Sequence, residues 1–179
     1  LLERGLELSD DDHKAVFLKW LEEHGSSVVK VARAYTLTGE ERQDLAQEIL
    51  LQAWLSVGRF EGHSSAATWF YRVALQTAMN WQRKERPRRV RQQPFLETEA
   101  VAGEEGTETA EQREIVERLY RAIQQLPQGD AALVLLYLEE LSYREMADVL
   151  GISESNVGVK LNRAKKALSV LMNGGLHGT

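Results

Sequence analysis

The sequence predicts an all-α protein: two small helical domains joined by a flexible acidic linker, the second a helix-turn-helix domain. Three observations carry that expectation. Apolar residues recur at helical spacing, and no stretch alternates as a half-buried strand would. Residues 94–110 (PFLETEAVAGEEGTETA) have few bulky apolar groups and much Glu, Gly and Thr, the composition of a linker between domains at 1–93 and 111–173. Residues 142–171 read as a short helix, a glycine turn and a long polar-faced helix.

Taken in order, Ser9 with Asp10, Asp11 and Asp12 opens a first helix, its acids suited to the N-terminal dipole. A second helix is expected over about 26–37. Thr38-Gly-Glu-Glu41 is a capping box that starts a third. There Ala46, Ile49, Leu50, Ala53, Trp54 and Val57 form an apolar stripe, and Asp44, Gln47, Glu48, Leu51, Gln52 and Leu55 fall outside it. Leucines 51 and 55 among polar groups suggest a second buried contact, with a partner protein. Gly58 ends this helix, and the loop Arg59–His63 leads to Ser64 and Ser65 as caps of a fourth, which is expected to bury Phe70, Val73, Ala74, Thr77 and Trp81 and to stop at Pro87.

On another side of the fourth helix stand Trp69, Arg72, Gln76, Asn80 and Arg83, followed by Lys84 and a basic tail. Aromatic, amide and guanidinium groups in a row suit unstacked single-stranded bases. Spacing leaves open whether Trp69 belongs to that row or to the core. Beyond the linker, Ile115, Leu119, Ile123 and Leu126 resume the helical period, Pro127 and Gly129 break it, and a helix runs through Ala132–Leu138.

Ser142-Tyr-Arg-Glu145 is another capping box, opening a short helix that turns Met146, Val149 and Leu150 inward. Gly151 permits a left-handed turn, and Ser153 caps a long helix with Val157, Leu161, Ala164 and Leu168 inside. Its outer face presents Ser155, Asn156, Val159, Lys160, Asn162, Arg163 and Lys166. Asparagine and arginine can pair with base edges in the major groove, and lysine can neutralise phosphate.

The net charge of −5 is strongly segregated: residues 81–93 (WQRKERPRRVRQQ) are basic and 97–117 acidic. Duplex DNA responds to such local basic patches. Hydrophobic residues make up 43% and charged ones 27%, a globular balance. No apolar run approaches the roughly 20 residues of a membrane span, so no membrane insertion is expected. The sequence opens on Leu1, without a signal-peptide pattern, and its natural start is expected to lie upstream. Absent cysteine excludes disulfides and thiolate metal sites and fits a reducing cytoplasm. The histidines at 13, 24, 63 and 177 are scattered, without zinc-protease spacing, a phosphate loop or a nucleophile–base pair. No catalytic residue, metal or cofactor is expected.

The chain resembles the sigma factors of the extracytoplasmic-function (ECF) group, the smallest members of the main bacterial sigma family. Asp44-Leu-Ala-Gln-Glu-Ile-Leu-Leu-Gln-Ala-Trp54 is similar to the helix that docks on the β′ coiled coil of core RNA polymerase. Phe60-Glu-Gly-His-Ser-Ser-Ala-Ala-Thr-Trp-Phe-Tyr-Arg72 resembles the loop and helix that melt and read the −10 element. The resemblance implies a flipped-out base held by His63, Ser64, Ser65, Ala66, Ala67 and Asn80. Leu141-Ser-Tyr-Arg-Glu-Met-Ala through Arg163-Ala-Lys-Lys-Ala-Leu168 is similar to the helix-turn-helix that reads the −35 element. It further implies contact with the β flap, binding of promoter DNA as duplex and as melted single strand, an anti-sigma factor as partner, and a cytoplasmic location. One departure is local: where the family often has Thr-Val-Arg-Ser-Arg, residues 156–160 read Asn-Val-Gly-Val-Lys, so Gly158 removes a phosphate-binding arginine. The alternative left by the residues is a helix-turn-helix regulator that binds duplex DNA without polymerase.

Overall fold

The computed structural model describes residues 9–92 and 109–174, which form seven α-helices and no strand. The expected linker therefore lies almost wholly outside the described residues.

Helix α1 (Asp10–Tyr35) begins at a capping box in which the Ser9 hydroxyl and the Asp12 carboxylate each accept the other residue's backbone N–H. It is one helix where two were expected. An interior glycine costs only about 1 kcal/mol, and buried Trp20 before Gly25 and Val28 and Val31 after it hold the same face against the core. Helix α2 (Gly39–Val57) starts at the expected Thr38/Glu41 capping box. Its buried row is Leu45, Ile49, Ala53, Ser56 and Val57. Trp54, expected inside, is 41% exposed, and its ring meets that of Phe17 edge-on at 5.3 Å. Because α1 and α3 both pack on α2, the face between them, and not the most apolar stripe, is the one buried.

Helix α3 (Ala66–Gln92) is capped by the Ser65 hydroxyl, which accepts from the Thr68 N–H at 3.1 Å. It buries Phe70, Tyr71, Ala74, Leu75 and Ala78, whereas Val73, Thr77 and Trp81 are half-buried. The stripe is rotated from the expected one because Tyr71 and Leu75 meet Leu135, Leu136 and Glu139 of the second half. Nor does Pro87 end the helix, which continues to Gln92. Proline removes one helical hydrogen bond, and the residues on either side keep helical geometry.

The second half comprises α4 (Ala110–Gln124), α5 (Gln128–Leu138), α6 (Tyr143–Leu150) and α7 (Glu154–Gly174). Thr109 and Gln112 box the start of α4. Ile115, expected inside, is 48% exposed, because only the last turns of α4, with Ala122 and Ile123, reach the core. Pro127 alone supplies the break: Gly129 lies in the first turn of α5, which starts four residues before the expected Ala132. Ser142 and Glu145 cap α6, and Gly151 closes it at φ 67, the left-handed conformation glycine adopts without strain.

The two halves share one continuous apolar cluster, running from Trp20, Leu45 and Phe70 through Leu75 and Leu136 to Met146 and Leu161. A polar seam follows it. Tyr35 donates to the Gln128 carbonyl at 2.8 Å. The Gln124 amide donates to the Arg33 and Thr36 carbonyls, each at 2.9 Å. The Gln128 amide reaches the Met79 carbonyl at 3.0 Å and the Gln82 side chain at 2.8 Å. Arg33 pairs with Glu117 and lies 4.3 Å over the Tyr120 ring.

Candidate nucleic-acid interface

Three surfaces result. On α2, Leu51 and Leu55 are 50% and 54% exposed, beside exposed Asp44 and Gln47. Trp54 of the same helix, 41% exposed, extends this apolar ridge, although the sequence pattern assigned Trp54 to the core. Glu48 and Gln52 are half-buried, linked by a 3.0 Å amide–carboxylate hydrogen bond. They line a groove of about 560 Å³ whose other wall is Gln76, Asn80 and Lys84 of α3. The candidate polymerase-binding residues thus divide between an open ridge and a groove shared with candidate DNA-binding ones.

The second surface is the loop between α2 and α3, where Gly62 turns the chain at φ 75. Arg59, Phe60, Glu61, His63 and Trp69 enclose a hollow of about 250 Å³. His63 Nε2 lies 3.0 Å from the Glu61 carboxylate. Trp69 stacks obliquely on Phe60 at 5.8 Å and donates from Nε1 to buried Ser56 at 3.2 Å. It is both core and pocket wall. Ser64, Ala66 and Ala67 are half-buried and Ser65 exposed at the start of α3. Asn80 lies 14 residues beyond Ala66, about 21 Å along the helix axis, and it lines the groove with Gln76 and Lys84, which Arg59 of the loop also lines. Arg59, Phe60 and Glu61, which belong to the expected −10 loop but not to its expected base-holding residues, line the hollow with His63.

Part of the remaining α3 row is engaged within the protein. Arg72 donates to the Asp148 carbonyl of α6, and Arg83 to the Asn80 side chain, while Gln76, Asn80, Arg83 and Lys84 stay exposed.

The third surface is α7. Ser153 accepts the Asn156 N–H at 3.2 Å. With Val157, Leu161 and Ala164 buried, Ser155, Asn156, Val159, Lys160, Asn162, Arg163 and Lys166 are exposed, Val159 at 72%. Gly158 lies under the Tyr143 ring. Lys165 turns away and sits 4.6 Å over the Tyr137 ring. Arg163 donates to Asp130 of α5 at 3.1 Å. Asp130 carried no signal in the sequence reading.

Among the described residues no cluster of His, Asp or Glu is placed to hold a metal, and no helix is long and apolar enough to cross a membrane.

The Sigma-70 region 2 family matches residues 20–88, and Sigma-70, region 4 matches residues 116–168. The RNA polymerase sigma factor YlaC of Bacillus subtilis is 32% identical over 72% of this chain and 76% of its own length. The RNA polymerase sigma-H factor of Pseudomonas aeruginosa is 35% identical over 72% of each, and the ECF sigma factor SigX of B. subtilis 32% over 72% and 69%. Among solved structures, the sigma factor RpoE in complex with the anti-sigma factor NepR, from Bartonella quintana, has the same fold, with a TM-score of 0.67 at 20% identity over 88% of this chain and 96% of that one. CnrH in complex with the cytosolic domain of CnrY gives 0.61 at 21% identity over 88% of both. The chain belongs to the sigma-70 family of RNA polymerase sigma factors, in its ECF group.

Proposed function

We propose that this sigma factor docks on the β′ coiled coil of core polymerase through the ridge of Leu51 and Leu55, with Asp44, Gln47, Glu48 and Gln52 beside it. The hollow at Arg59–His63 and Trp69 takes an unstacked −10 base, and the groove at Gln76 and Asn80, which shares Arg59 with that hollow, tracks the melted strand beside it. Helix α7 lies in the −35 major groove, with Asn156, Asn162 and Arg163 facing base edges and Lys160 and Lys166 facing phosphates. The observation that carries this reading is one chain exposing both an apolar ridge on α2 and an amide–basic row on α7.

A further shallow hollow of about 370 Å³, lined by Val134, Tyr137, Leu138, Leu168 and Met172, suits docking of the β flap. An anti-sigma factor, such as the one bound to RpoE in the related complex, would cover the same polymerase-facing surfaces. The protein acts in the cytoplasm, where polymerase is, and catalyses no reaction of its own. Arg72 joins the DNA-facing row once α6 separates from α3, because its guanidinium is held by Asp148 while the halves are packed.

Run-off transcription with purified core polymerase, on a pool of genomic promoter fragments, tests the assignment. Transcripts that require the protein and start at selected promoters are expected. Asn80→Ala should reduce them without weakening core binding; an equal loss of core binding would remove Asn80 from the DNA surface. Tight duplex binding by the protein alone, with no transcripts, would favour a conventional regulator.

A further inference from the structure

The exposed basic residues of α7 are held in different ways. Among the described residues Lys160 and Lys166 form no ion pair, so each is free to follow a phosphate. Arg163 is different: its side chain is 68% exposed, yet its Nη2 donates at 3.1 Å to a carboxylate oxygen of Asp130, whose side chain is only 12% exposed. Asp130 is a buried residue in the first turn of α5. The contact uses one of the five N–H donors of a rigid planar fork, and with the side chain 68% exposed the others stay available to a ligand.

We infer that Asp130 is a specificity-determining residue for duplex reading: it fixes Arg163 in a base-facing rotamer and keeps it from serving as a mobile phosphate contact. The inference rests on the assignment of α7 to the −35 groove. Two effects work in the same direction. Orienting an arginine in advance removes the rotamer entropy that a base contact would otherwise lose on binding. A fixed carboxylate beside the guanidinium also repels phosphate, which weakens contacts that ignore sequence while leaving base-edge contacts that face away from it. A lysine at 163 could be neutralised by Asp130 but could not present a planar pair of donors.

The test uses full-length protein with core polymerase on a promoter recovered by run-off transcription and on the same fragment with its −35 element scrambled. For Asp130→Asn the ratio of transcription on the two templates should narrow about fivefold or more, the scale of one lost base contact. Template binding should become more salt-sensitive, because Arg163 is released to phosphate. In an Arg163→Ala background, Asp130→Asn should change the ratio no further. An unchanged ratio, with only a lower melting temperature, would make the pair a helix clasp and overturn the inference. So would normal discrimination by Arg163→Ala while Asn162→Ala and Lys166→Ala lose it, although α7 would keep its place on DNA. Indifference of all these variants to the −35 sequence would instead overturn the placement of α7.

Discussion

Ser27 and Glu139, 112 residues apart in sequence, are joined by a 3.0 Å hydrogen bond in which the Ser27 hydroxyl donates to the Glu139 carboxylate. The same carboxylate accepts from the Tyr71 hydroxyl at 2.9 Å and pairs with Lys30. A single acid at the end of α5 thus ties α1 and α3 to the second half of the molecule. Glu139→Ala should lower stability by about 1.5–3 kcal/mol, the range for a hydrogen bond to a charged group. It should also enlarge the radius of gyration in X-ray scattering as the halves part. An unchanged radius and melting temperature would show that apolar contact alone closes the seam.

The same group sets an acid limit. Burial alone would raise the Glu139 carboxyl, but donors from Lys30, Tyr71 and Ser27 together outweigh it and hold the group below its ordinary value of 4.5. A carboxyl depressed by folding stabilises the folded state above its unfolded value, and that contribution is lost as pH falls through the folded one. Stability should therefore decline below pH 4.5, less steeply in Glu139→Ala, as read by denaturant titration across that window. Tyr71 acts at the opposite end. Burial, chiefly, pushes it up to about 12 from 10.0, so its contribution holds below pH 10 and is lost as pH rises through 12.

Gly158 is an interior residue of α7, and a methyl group there would meet the Tyr143 ring at 3.4 Å, an ordinary contact distance. Gly158→Ala should add about 0.5–1 kcal/mol to stability by restricting the unfolded chain and favouring the helix. Thermal melting followed by circular dichroism reads this directly; a lower midpoint would mean that the Tyr143 ring cannot yield.

Glu140 has φ 61, the only positive φ of a non-glycine among the described residues. It forms the turn between α5 and α6, donating to the Tyr137 carbonyl at 3.0 Å. A side chain in this region costs on the order of 1 kcal/mol. Glu140→Gly should recover up to about that amount in urea unfolding, and a loss would assign the Glu140 side chain a contact that outweighs the strain.

What was legible in the sequence was local. The boxes at Thr38/Glu41 and Ser142/Glu145 stand where spacing placed them, because a cap needs partners only three residues away. Gly151 takes its left-handed turn for the same reason. Errors arose where a distant element decides. Tyr71 and Leu75 belong inside only because Leu135 and Leu136 come to meet them. Trp54 left the core of α2 because Phe17 covers just one edge of it. The helix expected over about 26–37 is continuous with the first because buried residues on both sides of Gly25 share one face, and α3 continues past the expected stop at Pro87. The outward rows of α2 and α7 were readable, but the commitments of Arg72 to Asp148 and of Arg163 to Asp130 were not, since neither acceptor has a periodic or motif signal.

The seam also has a history during synthesis. Leu75 and Tyr71 are finished when their apolar and acidic covers, Leu135, Leu136 and Glu139, are still untranslated. At ordinary elongation rates the delay between Leu75 and Glu139 is roughly 3–13 s. A nascent first half must pass that interval with its future contact face open to water, and Arg72 has no Asp148 to hold it. The newborn chain is therefore most available to nucleic acid, and to chaperones, before its own second half arrives.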